Sequence, residues 1–494
     1  MNLLDRVIAT FAPRQALDRT RARAALKLMN YDAATSTTRG SSWRPVASDA
    51  DGAAAKRNRL AWVARDMIRN TPFAARAQQV IVNSTVGDGI IPKITAKDDA
   101  AKLNLLAVFE RHLDTTDIDA DGRSNLYGLQ RLVMQTVVDA GEVLIRRRWR
   151  FSSDGFALPF QLQVMEPDFL DASRDGSTTA GNLIRDGIEY DNIGRRVAYH
   201  LYGEHPGAMR WSRGAKTTSN RVEAKDILHI YRQDRPGQMR GVTWFAPVAL
   251  RLQDLGDFED AQLMRQKIAA CFAAFRTPSD DETPGGGNPG GLAESIIPGR
   301  IQNLGPGESL SFSDPPGVTD DGFTRSTLRS VAVGVGITYE ALTGDLTGVN
   351  FTSGRMGRMD MDRNVSSWQW LLLIAQMMQP LGKWLLEAYD IQTMSRVSRD
   401  KALKIDWVPP NRILIDPARE IAAMRDKVRA GFASRSGIIR ELGFDPERLM
   451  QEIAEDAVQA DAAHLVFDSD ARVTSGAGQA QIITDPNGDQ TNGQ

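Results

Sequence analysis

Cysteine is almost absent: Cys271 stands alone in 494 residues. One thiol excludes an internal disulfide framework, so packing has to hold the chain, and the composition is that of a protein made in a reducing compartment. Long apolar runs are missing too. The longest, Trp368 to Met378, is interrupted by Gln369 and Gln376 and falls well short of the ~18 residues that cross a bilayer, so no membrane partner is expected. MNLLDRVIATF carries an apolar stripe (Leu3, Leu4, Val7, Ile8, Phe11) but no cleavage-type block, and reads as a terminal docking helix.

The residues of catalysis are equally thin. There are 5 histidines, of which His200 and Glu204-His205 come nearest to a metal pattern. They lie in YHLYGEH, whose strand-like alternation and central glycine do not put two ligands on one helical face, so no metal is expected. No G-x-x-x-x-G-K-[ST] or G-x-S-x-G occurs, PGGGNPGG lacks a lysine and a following helix, and GVGI (334–337) lacks the spacing of a dinucleotide fingerprint. Cys271 falls within a helical pattern, and acid pairs such as Asp360 and Asp362 are ordinary in so charged a chain. Nothing assembles into an active site, and neither enzyme activity nor a cofactor is expected.

What is present is a chain with 42% hydrophobic and 25% charged residues, enough for a sizeable core. Its net charge of -2 conceals segregation. Arg14 to Arg76 holds 13 Lys/Arg against 5 Asp/Glu, Asp280 to Asp321 holds 1 basic residue against 8 acidic, and Glu441 to the end holds 2 against 11. Only the first block has the excess of basic charge that grips nucleic acid.

Along the chain, 1–55 reads as a flexible arm and 467–494, by composition, as a disordered tail. Two helices separated by Pro72 open an α+β body, and VGDGIIP stops the second. The strands EVLIRRRW, FQLQVMEPDFL and DILHIYR follow, with NLIRDGIEYDNIGRRVAYHLY as a hairpin about Asp191, Asn192 and Gly194. A helical pattern then runs from 244 to 276, with acids toward its start and bases toward its end, as the helix dipole prefers. A small β insertion and a returning helix (323–337) lead to a loop from Thr338 to Thr352. Beyond it a helix begins near Ser353 and carries Pro380, where a kink is expected. LKIDWVPPNRILIDP returns as an extended segment, and two or three helices close the chain. The loop groups Thr347, Asn350, Thr352 and Ser353 with Arg355 and Arg358, a polar set able to touch a polyanion's backbone with no base-reading arrangement.

The order of these segments resembles the lambda-type phage portal proteins from about Arg57 to about Glu455. RDMIRNTPFAARAQQVIVNSTVGDGI is similar to the family's opening helices. GIEYDNIGRRVAYHLY resembles its wing hairpin, and HIYRQDRPGQMRGVTWFAPVALRLQDLGDF its P-G-Q-x-R-G lead into the first stem helix. IIPGRIQNLGPGESLSFSDP resembles the clip, VGVGITYEALTGDLTGVNFTSGR the second stem helix and tunnel loop, and WVPPNRILIDPAREIAAMRDKVRAGFASRSGIIRELGFDPERL the closing wing segment and crown. The resemblance implies a portal fold: wing 56–243, stem helices 244–276 and 321–337, clip 277–320, tunnel loop 338–354, a kinked helix and wing return 355–415, and crown 416–466.

It also implies a cyclic dodecamer at one vertex of a phage or prophage head, located in the virion and, during assembly, in the host cytoplasm. Double-stranded DNA would pass the channel against Thr343, Asp345, Thr347, Asn350, Thr352, Arg355 and Arg358, with loop glycines 344, 348 and 354 making this segment flexible. The large terminase subunit, and later head-tail connector or adaptor proteins, would meet the clip at Asp280, Asp281, Glu282, Glu294, Arg300 and Glu308; major capsid or scaffolding protein would meet the ring. Another ring-forming connector component, or a nucleic-acid enzyme drawing on the basic N-terminal third, are the alternatives.

Overall fold

The structure, a computed structural model, describes residues 47–53, 56–208, 218–270, 274–277, 309–312, 321–410, 416–442, 444, 446–465 and 467. The expected docking helix, most of the arm, Cys271, the greater part of the clip and the tail from 468 lie outside them. Contacts divide the chain into two units. In the smaller, Arg235 donates to the carbonyls of Ser48 and Asp49 at 3.1 and 3.3 Å, and the Met239 N–H donates to the Asp51 carboxylate at 2.9 Å.

In the larger, α1 (Arg57–Asn70) gives way to α2 (Pro72–Val86) at Thr71, because proline has no N–H to donate and is accommodated only in a first helical turn. After β1 (Ile91–Thr95), α3 (Asp99–Leu113) starts on Asp98, whose carboxylate accepts the Ala100 N–H at 3.0 Å. Asn125 caps α4 (Leu126–Ala140) in the same way. Gly141 ends α4 at φ +92, where a Cβ would lie 2.2 Å from the Val242 carbonyl carbon. Leu129, Val133, Met134 and Val137 of α4 are fully buried, each contributing roughly 1.5–3 kcal/mol by leaving water.

β2 (Glu142–Trp149) is the middle strand of a three-stranded antiparallel sheet, between β3 (Phe160–Met165) and β9 (Ile227–Tyr231). One of its three consecutive arginines is buried. Arg147 pairs with Asp226 at 2.8 Å and Glu387 at 2.6 Å, and its guanidinium lies over the Trp149 and Trp384 rings.

A second antiparallel sheet runs β4 (Gly176–Ser177), β5 (Leu183–Arg185), β6 (Ile188–Tyr190), β7 (Arg196–Tyr202), β8 (Ser219–Glu223). The expected hairpin about Asp191 is there, with Asp191 Oδ1 accepting the N–H groups of Ile193 and Arg195. Its first arm, however, folds again. Asp186 and Gly187 both take positive φ (48 and 77), the pair of left-handed residues that a two-residue hairpin turn requires, so three strands form where two were expected.

The helix expected over 244–276 is shorter: α5 is Ala249–Ala270. Pro247 disfavours helical backbone at the residue before it, and Trp244 and Phe245 are instead buried in turns. At the other end Ala274–Thr277 (β10) leaves the helical path to pair antiparallel with Ser309–Phe312 (β11). α6 (Asp321–Val335) ends at Gly336, φ +81, and α7 (Tyr339–Thr343) at Gly344, φ +73. The stretch expected as an open loop therefore contains a helical turn, N-capped by Thr338.

α8 is continuous through Phe351–Ser367 (17 residues), a π-helical stretch Trp368–Met378 (11) and Gln379–Gln392 (14), on the order of 60 Å at 1.5 Å per residue. Pro380 sits in the first turn of the last segment. The π-helical stretch ends two residues before it, so widened turns stand beside the position where the kink was expected. Side-chain amides bind this stretch to its surroundings: Gln376 both accepts the Tyr231 N–H and donates to the Tyr231 carbonyl at 3.1 Å, and Gln369 donates to the Thr85 carbonyl at 2.9 Å. The returning segment contributes β12 (Lys404–Val408), which pairs antiparallel with β1; IIPKIT is thus a strand as well as a helix stop. Three helices follow, α9 (Pro417–Arg429), α10 (Arg435–Glu441) and α11 (Pro446–Ala462).

Candidate functional site

The polar segment between α6 and α8 is organised around one carboxylate. Asp345 Oδ1 accepts both the backbone N–H (2.9 Å) and the hydroxyl of Thr347. Its Oδ2 accepts the Tyr339 hydroxyl at 3.3 Å and lies 3.7 Å from the Arg325 guanidinium. The Thr347 hydroxyl and N–H, followed by Tyr339 and Arg325, hold the Asp345 pKa below the usual carboxylate range. Thr343 joins the same group, donating its hydroxyl to the Tyr339 carbonyl and accepting the Asp345 N–H. A segment expected to be loose is thus internally hydrogen-bonded.

α8 begins earlier than Ser353. Asn350 is its N-cap: Asn350 Oδ1 accepts the Ser353 N–H at 2.8 Å, while Ser353 Oγ accepts the Asn350 N–H at 3.1 Å, a reciprocal capping box. Thr352 and Arg355 are exposed on the first turns. Arg355 comes within 4.0 Å of Glu420, and Arg358 Nε donates to Asp362 at 3.0 Å. Of the seven residues implied for a channel, Thr343, Asp345 and Thr347 share one network, Asn350 caps the next helix, and Thr352, Arg355 and Arg358 stand on that helix. Both arginines face carboxylates, which weakens their pull on a phosphate. Under the segment is a cavity of about 330 Å³, lined by Arg76, Asn83, Thr338, Glu340, Leu346 and Met361 among others. The six clip candidates lie outside the described residues.

Sequence reasoning missed two polar clusters. Glu142 is fully buried and takes a bidentate pair from Arg240, the Gly241 N–H at 2.8 Å and His229 Nε2 at 2.9 Å. Arg240 and His229, helped by these bonds, hold the Glu142 pKa far below the usual range despite its burial, while burial holds His229 down. The arginine and glycine of P-G-Q-M-R-G were visible in the sequence; their acidic partner, 98 residues away, was not.

The second cluster is Glu166, Asp168 and His205, whose ligand atoms lie within 4.8 Å of one another. The fit to a cation is poor. The Arg65 guanidinium already sits 2.7 Å from Asp168 and 3.6 Å from Glu166. His205 Nδ1 accepts the Gly207 N–H at 3.0 Å, so Nε2 carries the proton and faces Glu166 at 3.1 Å instead of offering a lone pair. The acids and imidazole pair with neighbours.

Among the described residues, long helices, four antiparallel sheets and polar clusters bonded internally define a mixed α+β protein whose polar groups brace its own elements. The model of the family described as phage portal protein, lambda family, matches residues 36–369, and the chain belongs to that family. It is 27% identical to the probable portal protein of Halomonas phage phiHAP-1 over 450 residues (86% of each chain), and 21% identical to portal protein B of Escherichia phage lambda over 477 residues, covering 86% of this chain and 88% of that one. The portal protein of Escherichia phage N15 matches at 22% identity with the same coverage, 86% and 88%. Among solved structures, a chain of the neck of native GTA particle computed with C12 symmetry aligns with TM-score 0.45 at 15% identity, over 82% of this chain and 96% of that one. The family assignment rests on the sequence matches. No described helix is long and apolar enough to cross a membrane.

Proposed function

We propose that this chain forms the cyclic ring, a dodecamer, at a unique vertex of a phage or prophage head, in the virion and, during assembly, in the host cytoplasm. Double-stranded DNA passes through the ring in packaging and ejection. The protein catalyses no reaction; it docks the large terminase subunit and afterwards head-tail connector proteins, and it meets major capsid or scaffolding protein. In this reading 56–243 with 355–415 is the wing, α5 and α6 the stem, the insertion between them the clip, 338–354 the tunnel loop and 416–466 the crown.

The observation that carries the reading is the lambda-family match over residues 36–369. Two features agree with it. Apolar side chains stay exposed on the elements assigned to stem and tunnel loop (Leu250, Val333, Leu346, Phe351), as expected of helices completed by neighbours. Arg355 and Arg358, on the helix that follows the tunnel loop, face acids, so DNA meets few free cations there and slides instead of being gripped by counterion release. Deleting residues 344–350 tests the assignment: rings should persist while particles retain or package less DNA, and unimpaired packaging by rings of the deleted chain would refute it.

A further inference from the structure

α5 and α6 carry opposite charge on the sides they turn away from the core. On α5, Leu250, Asp254, Asp257, Ala261 and Met264 recur every three or four residues and are all exposed, a stripe opposite the buried Leu252 and Leu255. On α6, Arg325, Arg329 and Val333 recur every four residues and are exposed, whereas Leu328, Val331, Ala332 and Val335 are buried. From 250 to 264 there are four acids and one arginine; from 322 to 335 there are two arginines and no acid.

The two helices run antiparallel, and their register is pinned at both ends. The Phe258 and Phe323 rings lie 4.6 Å apart, and a Cβ on Gly334 would meet Val248 Cγ1 at 2.3 Å. Counting inward from those contacts, Leu250 is level with Val333, Asp254 with Arg329 and Asp257 with Arg325, to within about two residues, roughly 3 Å of helix. An apolar pair and two opposite-charge pairs thus stand at matching heights, although each stripe faces away from its partner helix.

We propose that the α5 stripe is the docking face for the α6 stripe of a second copy of this chain. The inference rests on the ring reading and names the contact that closes the ring. Copies in a closed cyclic assembly are related by rotation without translation, so with the α5–α6 pair standing along the axis a residue meets its neighbour's residue at its own height. Level matching of Leu250 (80% exposed) with Val333 (79% exposed), and of Asp254 and Asp257 with Arg329 and Arg325, satisfies that condition. The arginines are already oriented within the chain. Arg329 lies 5.5 Å from the Tyr339 ring and Arg325 is 3.7 Å from Asp345, so their side chains start partly ordered. Asp257 accepts a neutral amide on its own helix, from Gln253 at 3.2 Å. The contact also couples the stem to the tunnel loop, because Arg325 touches both.

The test uses full-length chains and a mixing experiment. One variant reverses the acidic stripe (Asp254→Arg with Asp257→Arg); the other reverses the basic stripe (Arg325→Glu with Arg329→Glu). Each alone brings like charges together at every interface and should lose annular particles by negative-stain microscopy and by mass. Mixed in equal amounts, the two should recover rings in which they alternate, and the chain carrying all four substitutions should form rings alone. Damage within one chain, such as loss of the Arg325–Asp345 contact, would not be repaired by mixing. Rings formed by either two-site variant alone as readily as by the unaltered chain overturn the inference and leave the ring reading standing. So do intact unaltered rings with neither the mixture nor the four-site chain recovering. An unaltered chain that forms no rings removes both.

Discussion

Asp139 is the residue whose titration the fold disturbs most informatively. It lies in the last turn of α4 beside Arg65, Glu166 and Asp168, and burial pushes its pKa up to about 7 even though Arg65 pulls it down. An ordinary aspartate in the unfolded chain titrates near 3.9. Between those values the folded state holds the proton more tightly, so this group's contribution to stability falls as pH rises from about 4 to about 7. Asp139→Asn should abolish that dependence. Its Tm should drop less than the unaltered chain's between pH 5 and pH 8, and should be the higher of the two at pH 8, where each displaced pKa unit is worth about 1.4 kcal/mol. Calorimetric scans that coincide at both pH values would contradict the assignment. Little of this was legible in the sequence, where Asp139 is one acid in an amphipathic pattern; Arg65 precedes it by 74 positions and Glu166 follows in another element. Glu142 and Arg240 were hidden in the same way, since long-range pairing leaves no local period.

At the scale of elements, local signals were legible where neighbours in sequence decide the outcome. The helix break at Pro72 and the turn at Asp191 fall where the pattern puts them. The misses have equally local causes. Asp186-Gly187 is a two-residue turn signal passed over inside an apparently single strand, and Pro247 shortens α5 at its start. Asn350, three residues before Ser353, is the better cap because its side-chain Oδ1 accepts the Ser353 N–H. The π-helical stretch of α8 follows from no periodicity; it is stabilised by what it touches. Gln376 satisfies both backbone groups of Tyr231. Gln376→Leu should therefore destabilise the chain by about 1–3 kcal/mol through partly buried polar groups left without partners. Amide exchange should accelerate at Tyr231 and along Trp368–Met378; unchanged protection there would show that packing alone holds the wide turns.

For the whole molecule, several motifs in one order identified the family, and the family match bears that out. Charge segregation was legible as numbers; the exposed apolar side chains on α5, α6 and α8 came only with the structure, and in the proposed ring they meet neighbouring copies. The central claim is that neighbouring copies cover them and leave a channel on the axis. Native mass measurement of the purified full-length chain, coupled to negative-stain imaging at micromolar concentration, tests it most directly. The account predicts one closed ring species with a central hole, and its mass gives the copy number. A monodisperse monomer with no annular particles would contradict it.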